Sequence, residues 1–368
     1  VRKEFATLRS QEHTLAKNES LRKAADFLGG TRRGIIGAMK ITVTGASGLV
    51  GRSLMGMLAD SREHTVHGLA FSRAQPPLER LDLTNEAEVA SYFDREVPEV
   101  VVHLAAERRP DIVDKDARRA RSLNVDATRN LARECAARGA FLLLVSTDYV
   151  FDGTTPPYYP DSPVNPLNEY GKMKLESELV AEETLGATVE SAARIEGASA
   201  SAGRSPSGAH SSAARADGAV LRISILYGPV ESLQESAVTE VAIALKAKTP
   251  RLTDDWANRY PLHVDDVSSA ILTIVDANAR DPNALAAFGA FPRFLLSGFP
   301  SYTKYDMVNI MAGALGVDAD YIQPDPNPPR GAPRPRDCRM DTSRLESLGW
   351  KQRKMFETEI GSILKPFF

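Results

Sequence analysis

From Lys40 onward, short apolar runs alternate with amphipathic stretches of helical period. Strands are predicted at residues 40–44, 64–70, 99–104, 140–146 and 219–224, and helices at 48–60, 85–95, 115–138 and 169–184. The strand segments are near-continuous apolar runs, the pattern of a parallel sheet covered by helices on both faces. In such a sheet ligands sit at the carboxyl ends of the strands. After Leu226 the alternation loosens. A helix near residues 236–246, the runs PLHVDDVSSAILTIVDA and FPRFLLSG, and a helix over residues 303–315 predict a smaller lobe that returns to the main sheet. Residues 324–335 are proline-rich and predict a surface loop.

Two segments break the pattern. Residues 1–38 carry mixed charges and no apolar signal core, and a disordered extension is expected there. Residues 190–217 are dominated by Ala, Ser, Gly and Arg, too little apolar surface to offset the entropy of ordering, and predict a low-complexity insertion. The expected division is thus a dinucleotide-binding domain at residues 39–226, interrupted by that insertion, and a substrate lobe at residues 227–368.

Composition narrows the function classes. The chain has 368 residues, 43% of them hydrophobic, and can bury a large core. A net charge of −3, with arginines scattered among acids, gives no pull toward nucleic acid, and no apolar run approaches a membrane span. Cys135 and Cys338 are far apart and the histidines lack ligand spacing, so no metal site is expected and a reducing, cytoplasmic setting is.

The chemistry lies in two motifs. KITVTGASGLVG (residues 40–51) reads as strand, glycine turn and helix. Gly45 permits the turn, Gly48 lets the backbone approach a pyrophosphate, and Gly51 brings helix close to strand, with the helix N-terminus facing the phosphates. These features make the predicted fold a Rossmann-type, doubly wound α/β sheet with a smaller α/β substrate lobe. The second motif is YGKMK, about two dozen residues after STDYVFDG (residues 146–153). Tyr170 and Lys174 share one helix face, so an ammonium can sit beside a phenol and ease its deprotonation. Thr147 stands at the preceding strand's end, with Ser146 as the neighbouring candidate. Taken alone, YxxxK is more often a solvated helix face. About twenty residues past the last glycine, an NAD site offers a carboxylate to the ribose hydroxyls. Here stand Phe71, Ser72 and Arg73, which favours NADP, with an exposed, unliganded Arg73 as the plain alternative.

Together these residues resemble the extended short-chain dehydrogenase/reductases, in which a Thr or Ser, the YxxxK tyrosine and its lysine form the reducing site. STDYVFDG with PLNEYGKMKLESE looks like the branch that holds dTDP-4-dehydrorhamnose reductases and the regulatory β subunits of methionine adenosyltransferase. HLAAERRPDIV, LNVDATRNLA, YGPVESLQESAVT and DDWANRYPLHVDDV look like the regulatory side of that branch. The resemblance implies Thr147, Tyr170 and Lys174 as the catalytic set. It implies cofactor contacts from Gly45, Ser47, Gly48, Leu49, Gly51, Arg73, Asp82, Leu83, Ala105, Ala106, Asn124, Tyr170 and Lys174. On the substrate side Glu107, Arg108 and Arg109 stand where sugar-nucleotide reductases carry smaller residues, and Arg222 and Arg259 are candidate phosphate partners. Two functions follow from the resemblance. One is an NADP-binding regulatory subunit that partners a methionine adenosyltransferase catalytic subunit and modulates S-adenosylmethionine synthesis. The other is an NADPH-dependent reductase of a 4-keto nucleotide sugar, acting as a homo-oligomer. Regulatory members continue past the last helix into a tail that engages the partner, whereas the sequence read here runs to Lys365–Phe368.

Overall fold

The computed structural model describes residues 37–199, 217–281, 283–328 and 331–368. The expected extension at residues 1–38 therefore lies almost wholly outside the described residues, as does most of the expected insertion.

Among the described residues seven strands form the main sheet: β1 (Lys40–Thr44), β2 (Thr65–Ala70), β3 (Glu79–Arg80), β4 (Val100–His103), β5 (Phe141–Thr147), β6 (Gly218–Ile223) and β7 (Arg293–Leu296). Their order is β7-β6-β5-β4-β1-β2-β3, and every pairing is parallel. The winding reverses between β1 and β4, so the loops leaving these strands diverge and open a crevice at their carboxyl ends. The doubly wound α/β fold expected from the pattern is the fold observed.

Each face of the sheet is buried by helices. On one face α1 (Leu49–Ser61) turns Val50, Leu54 and Leu58 inward at spacings of four residues and shares a core with α5 (Val264–Arg280). The other face is covered by α2 (Glu86–Glu96), α3 (Ala127–Arg138) and α4 (Glu169–Ser199). A separate core joins Tyr227, Leu233, Met307, Met311, Phe356 and Ile360, and forms the smaller lobe around the helices Lys304–Leu315 and Phe356–Leu364. Main-sheet strand β7 is contributed from within this second half, which interleaves the two parts.

Three expectations are corrected. The single helix predicted at residues 115–138 is broken into Pro110–Lys115, Ala117–Arg121, a π-helical turn Ser122–Asp126 and α3. The break has a local cause: the Asp116 carboxylate accepts from the Arg119 amide at 3.1 Å and starts a new helix. Helix α4 does not stop near residue 184 but runs to Ser199, ten residues into the expected insertion, through an alanine-rich stretch of high helix propensity. Pro324 lies in an edge strand, Ile322–Asp325, paired with Arg251–Asp254, where a proline is tolerated.

Gly45 and Gly51 close the first turn. Gly45 has φ +69° and a Cβ there would lie 2.8 Å from the Ala105 amide nitrogen, so the loops after β1 and β4 touch backbone to backbone. A Cβ on Gly51 would lie 2.4 Å from the Gly45 carbonyl oxygen. We expect Gly51→Ala to cost about 1–3 kcal/mol by overpacking this contact. Urea unfolding measures it, and a loss below about 0.5 kcal/mol, the range of surface changes, would refute the tight contact.

Candidate functional site

The site lies where β1, β2, β4 and β5 end. Thr147 is the last residue of β5 and is nearly buried. Its hydroxyl donates to Asp148 Oδ1 at 3.1 Å and accepts from the Tyr149 amide at 3.3 Å. Tyr170 and Lys174 occupy the first turns of α4, and the Tyr170 ring meets Tyr149 edge-on with centroids 6.0 Å apart. Thr147 stands close enough to the Tyr170 phenol to act on its ionisation. Thr147 and Tyr170 are thus brought together at the end of β5, with Lys174 one turn further along α4, while Ser146 Oγ is buried and without a hydrogen-bond partner.

The electrostatics differ from the sequence-based expectation. Burial pushes the Tyr170 phenol well above its ordinary range, and the groups that pull it back are Thr147 and Arg108 rather than Lys174. Lys174 is itself buried, which pulls its ammonium down to about 8, with Glu178 one turn along pulling it up. Desolvation therefore outweighs the expected help from ammonium to phenol. Glu178 is fully buried and grips Arg222 with bonds of 3.0 Å and 2.7 Å. Arg222, 2% exposed, is packed over the Phe151 ring. It belongs to the sheet's interior and is not the cleft residue expected to meet a phosphate; an isolated strand sequence cannot show a partner 44 positions away.

The residues expected to contact a cofactor lie after β1, β2, β3 and β4, on the π-helical turn and at the start of α4. Helix α1 begins at Leu49 with Gly48 as its N-cap; glycine has no side chain to cap the helix N-terminus, and the first turn holds no acid. Ser47 contributes its carbonyl, which accepts from Arg52 at 3.0 Å and Arg73 at 2.8 Å. Ser47, Arg52, Ser72, Arg73 and Glu231 line a cavity of about 400 Å³ at the end of β2. Arg73 is exposed but not unpartnered: it bonds Glu231 at 2.9 Å. Leu49 follows the turn, half-buried against the sheet core. Asp82 accepts from Thr84 at 2.9 Å and 2.7 Å, and Leu83 is packed into the core under α2 and α3. Ala105 and Ala106 leave β4, with the Ala105 amide 3.4 Å from Thr44 Oγ1. Asn124 clamps Glu107 from both sides, accepting from its amide at 2.8 Å and donating to its carbonyl at 3.0 Å.

An open helix N-terminus, a glycine turn with no room for a side chain and two guanidiniums at the end of β2 fit the phosphates of a dinucleotide. The site is of the dinucleotide-binding type. Among the described residues no cluster of His, Cys, Asp or Glu is placed to hold a metal, and no helix is long and apolar enough to cross a membrane.

Several residues of the cleft had no signal in the pattern reading. Asp148 is buried, which raises its carboxyl to about 6 against the pull of Thr147 and Arg259. Burial lowers Lys304, and the charges of Arg334 and Arg259 add to that shift; the same two arginines oppose the effect of burial on the Tyr149 phenol. Arg259 itself is held by the Asn258 and Pro335 carbonyls at 3.1 Å and 3.3 Å. Arg52, one position after Gly51, was the one available clue to a second cation at the cavity.

The RmlD substrate binding domain family matches residues 39–190 and 210–368. Methionine adenosyltransferase 2 subunit beta of Mus musculus is 38% identical over 336 residues, 90% of this chain and 89% of that protein. A dTDP-4-dehydrorhamnose reductase of Mycolicibacterium smegmatis is 28% identical, over 85% of this chain and 81% of its own length. Among solved structures, dTDP-4-dehydrorhamnose reductase from Bacillus anthracis in complex with NADP superposes with a TM-score of 0.67 at 19% identity, covering 89% of this chain and 98% of that one. UDP-glucose 4-epimerase from Thermus thermophilus in complex with NAD gives 0.64 at 20% identity, covering 89% and 99%.

The Lys174 environment predicts a pH signature. Between about 8 and 10.5 the unfolded chain holds a proton that the folded chain has released, so folding is penalised below this window and the penalty lifts as pH rises through it. We expect the unfolding free energy of the protein, minus that of Lys174→Met, to climb across that interval in denaturant titrations. A flat difference would show that Lys174 is solvated.

Proposed function

Because this chain belongs to the RmlD substrate binding domain family, and within it to the group of methionine adenosyltransferase 2 subunit beta proteins, we propose that it is a regulatory subunit of a methionine adenosyltransferase. In this reading it binds NADP and tunes S-adenosylmethionine formation by the catalytic subunit. The observation that carries the reading is the 38% identity spread over nine-tenths of both chains, second lobe included, where a shared cofactor domain alone would explain only the first half. Buried, unbridged thiols at Cys135 and Cys338 support a reducing, cytoplasmic location.

NADP is favoured over NAD by the end of β2. Phe71, Ser72 and Arg73 offer no carboxylate to a ribose diol, and Arg52 adds a second guanidinium to the same cavity. The helix N-terminus at Gly48 and Leu49 is the proposed pyrophosphate seat, Ala105 and Ala106 leave room for the chain of the dinucleotide, and Lys174 is proposed to hold the nicotinamide-side ribose. We expect calorimetry to show tighter binding of NADPH than NADH, and Arg73→Ala to remove most of that preference. Equal affinities in the unmodified protein would overturn the assignment.

A second reading rests on the assembly of Thr147, Tyr170 and Lys174. A nicotinamide dinucleotide supplies hydride when bound. Tyr170, kept protonated by burial, would donate its proton to a substrate carbonyl oxygen that Thr147 orients, and the cations Arg259, Lys304 and Arg334 suit a nucleotide-sugar diphosphate. One experiment separates the readings. Mixing the protein with a methionine adenosyltransferase catalytic subunit at micromolar concentration should give a complex by light scattering and a changed rate of S-adenosylmethionine formation. A lone homo-oligomer that turns over a 4-keto nucleotide sugar with NADPH, and loses this turnover in Tyr170→Phe, would replace the regulatory reading.

A further inference from the structure

The segment from Gly228 to Ser236 follows the short strand Leu226–Tyr227 and crosses the mouth of the dinucleotide cleft. Arginines that follow three of the sheet's strands hold it there. Arg52 on α1 grips the Glu235 carboxylate with bonds of 2.7 Å and 2.8 Å, Arg73 beyond β2 bonds Glu231 at 2.9 Å, and Arg108 beyond β4 donates to the Glu235 carbonyl.

The two carboxylates are not equivalent. Glu235 is 11% exposed, doubly bonded by Arg52, and also accepts from the Glu231 amide at 2.8 Å. Glu231 is 62% exposed; its carboxylate is paired at 2.9 Å with Arg73, itself 49% exposed, and only loosely with Arg52 at 3.7 Å, while Arg73 reaches Glu235 at 3.5 Å. The first is a fixed anchor and the second is a pair that solvent already reaches. Arg73 is also the guanidinium that lines the ribose end of the cleft with Ser47 and Ser72. A phosphate that bound Arg73 there would bring a dianion to the nitrogen that Glu231 occupies, and two anions repel at that distance.

We propose that Glu231 is an exchangeable latch: a 2′-phosphorylated dinucleotide takes Arg73 from Glu231 and frees the middle of the Gly228 to Ser236 segment, whereas a dinucleotide with a free 2′-hydroxyl leaves the latch closed. This rests on the reading of the cleft as an NADP site. Leu233, between the two glutamates, is buried in the second lobe's core, so opening the latch loosens a contact of that lobe as well.

Glu231→Gln tests the latch, since the residue is largely exposed and the replacement keeps its shape. The unmodified protein and the variant are titrated with NADPH and NADH by calorimetry, and hydrogen exchange of residues 228–236 is followed with each dinucleotide. The variant should bind NADPH roughly three- to fivefold more tightly, the scale of one exposed ion pair, while NADH affinity changes less. In the unmodified protein NADPH, and not NADH, should speed exchange in residues 228–236. If NADPH binds yet exchange there is the same with both dinucleotides and the variant binds NADPH no more tightly, the latch is overturned and the cofactor assignment stands. If neither dinucleotide binds, both fall.

Discussion

The geometry of the candidate site hangs on one buried ion pair. Glu178 on α4 and Arg222 on β6 are shielded from water and joined by a forked pair of hydrogen bonds. Burying two charges is costly, and the cost is offset while the fork is intact; without Glu178 the Arg222 guanidinium would be an uncompensated charge in the core, whereas Glu178 without Arg222 would keep only the longer pairing with Arg293 at 3.7 Å. The pair therefore fixes how α4 lies on the sheet. Tyr170 and Lys174 stand on that helix and Thr147 at the end of β5, the strand hydrogen-bonded to β6, so the alignment of phenol, ammonium and hydroxyl follows from a contact none of them makes. The same carboxylate supports the Lys174 ammonium against the burial that pulls it down, which links the rigidity of the site to its electrostatics.

The parts of the structure legible in the sequence were those dictated locally. Gly45 needs a left-handed backbone and Gly51 a missing side chain, and both needs are visible as glycines at fixed spacing after an apolar strand. The strand-end position of Thr147 and the first-turn position of Tyr170 follow from the same hydrophobic rhythm. What the sequence hid depends on partners distant along the chain. Arg222 sits in an apolar run and reads as a ligand-binding residue until Glu178 is seen beside it. Tyr170 reads as activated until its burial is known, since spacing gives neighbours and says nothing of solvent. Arg73 reads as unpaired because Glu231 lies 158 positions away.

The second lobe illustrates a related point about division of the chain. Its core is independent, yet its chain segments supply α5 and β7 to the main domain, and Trp350 donates to the Asp266 carbonyl of α5 at 3.1 Å. The two parts share the cleft between them, so a change in one lobe's packing is felt at the rim of the other. Arg52, Arg73 and Arg108 make that rim a seam of charge between loops of the sheet and a segment of the lobe.

The π-helical turn Ser122–Asp126 shows how a small irregularity sets phase. Its wider winding lets the Asn124 carbonyl accept from both the Thr128 and Ser177 hydroxyls while the Asn124 side chain clasps Glu107. Such a turn amounts to one residue more than an ordinary helix holds. Were that residue lost, the helix on one side would rotate by about 100° relative to the other. Asn124 would swing away from the loop after β4, and the wall of the cleft would lose its brace though Asn124 and Glu107 both remained. At this point the chain is constrained by count rather than by composition, and tolerates substitutions more readily than a single insertion or deletion.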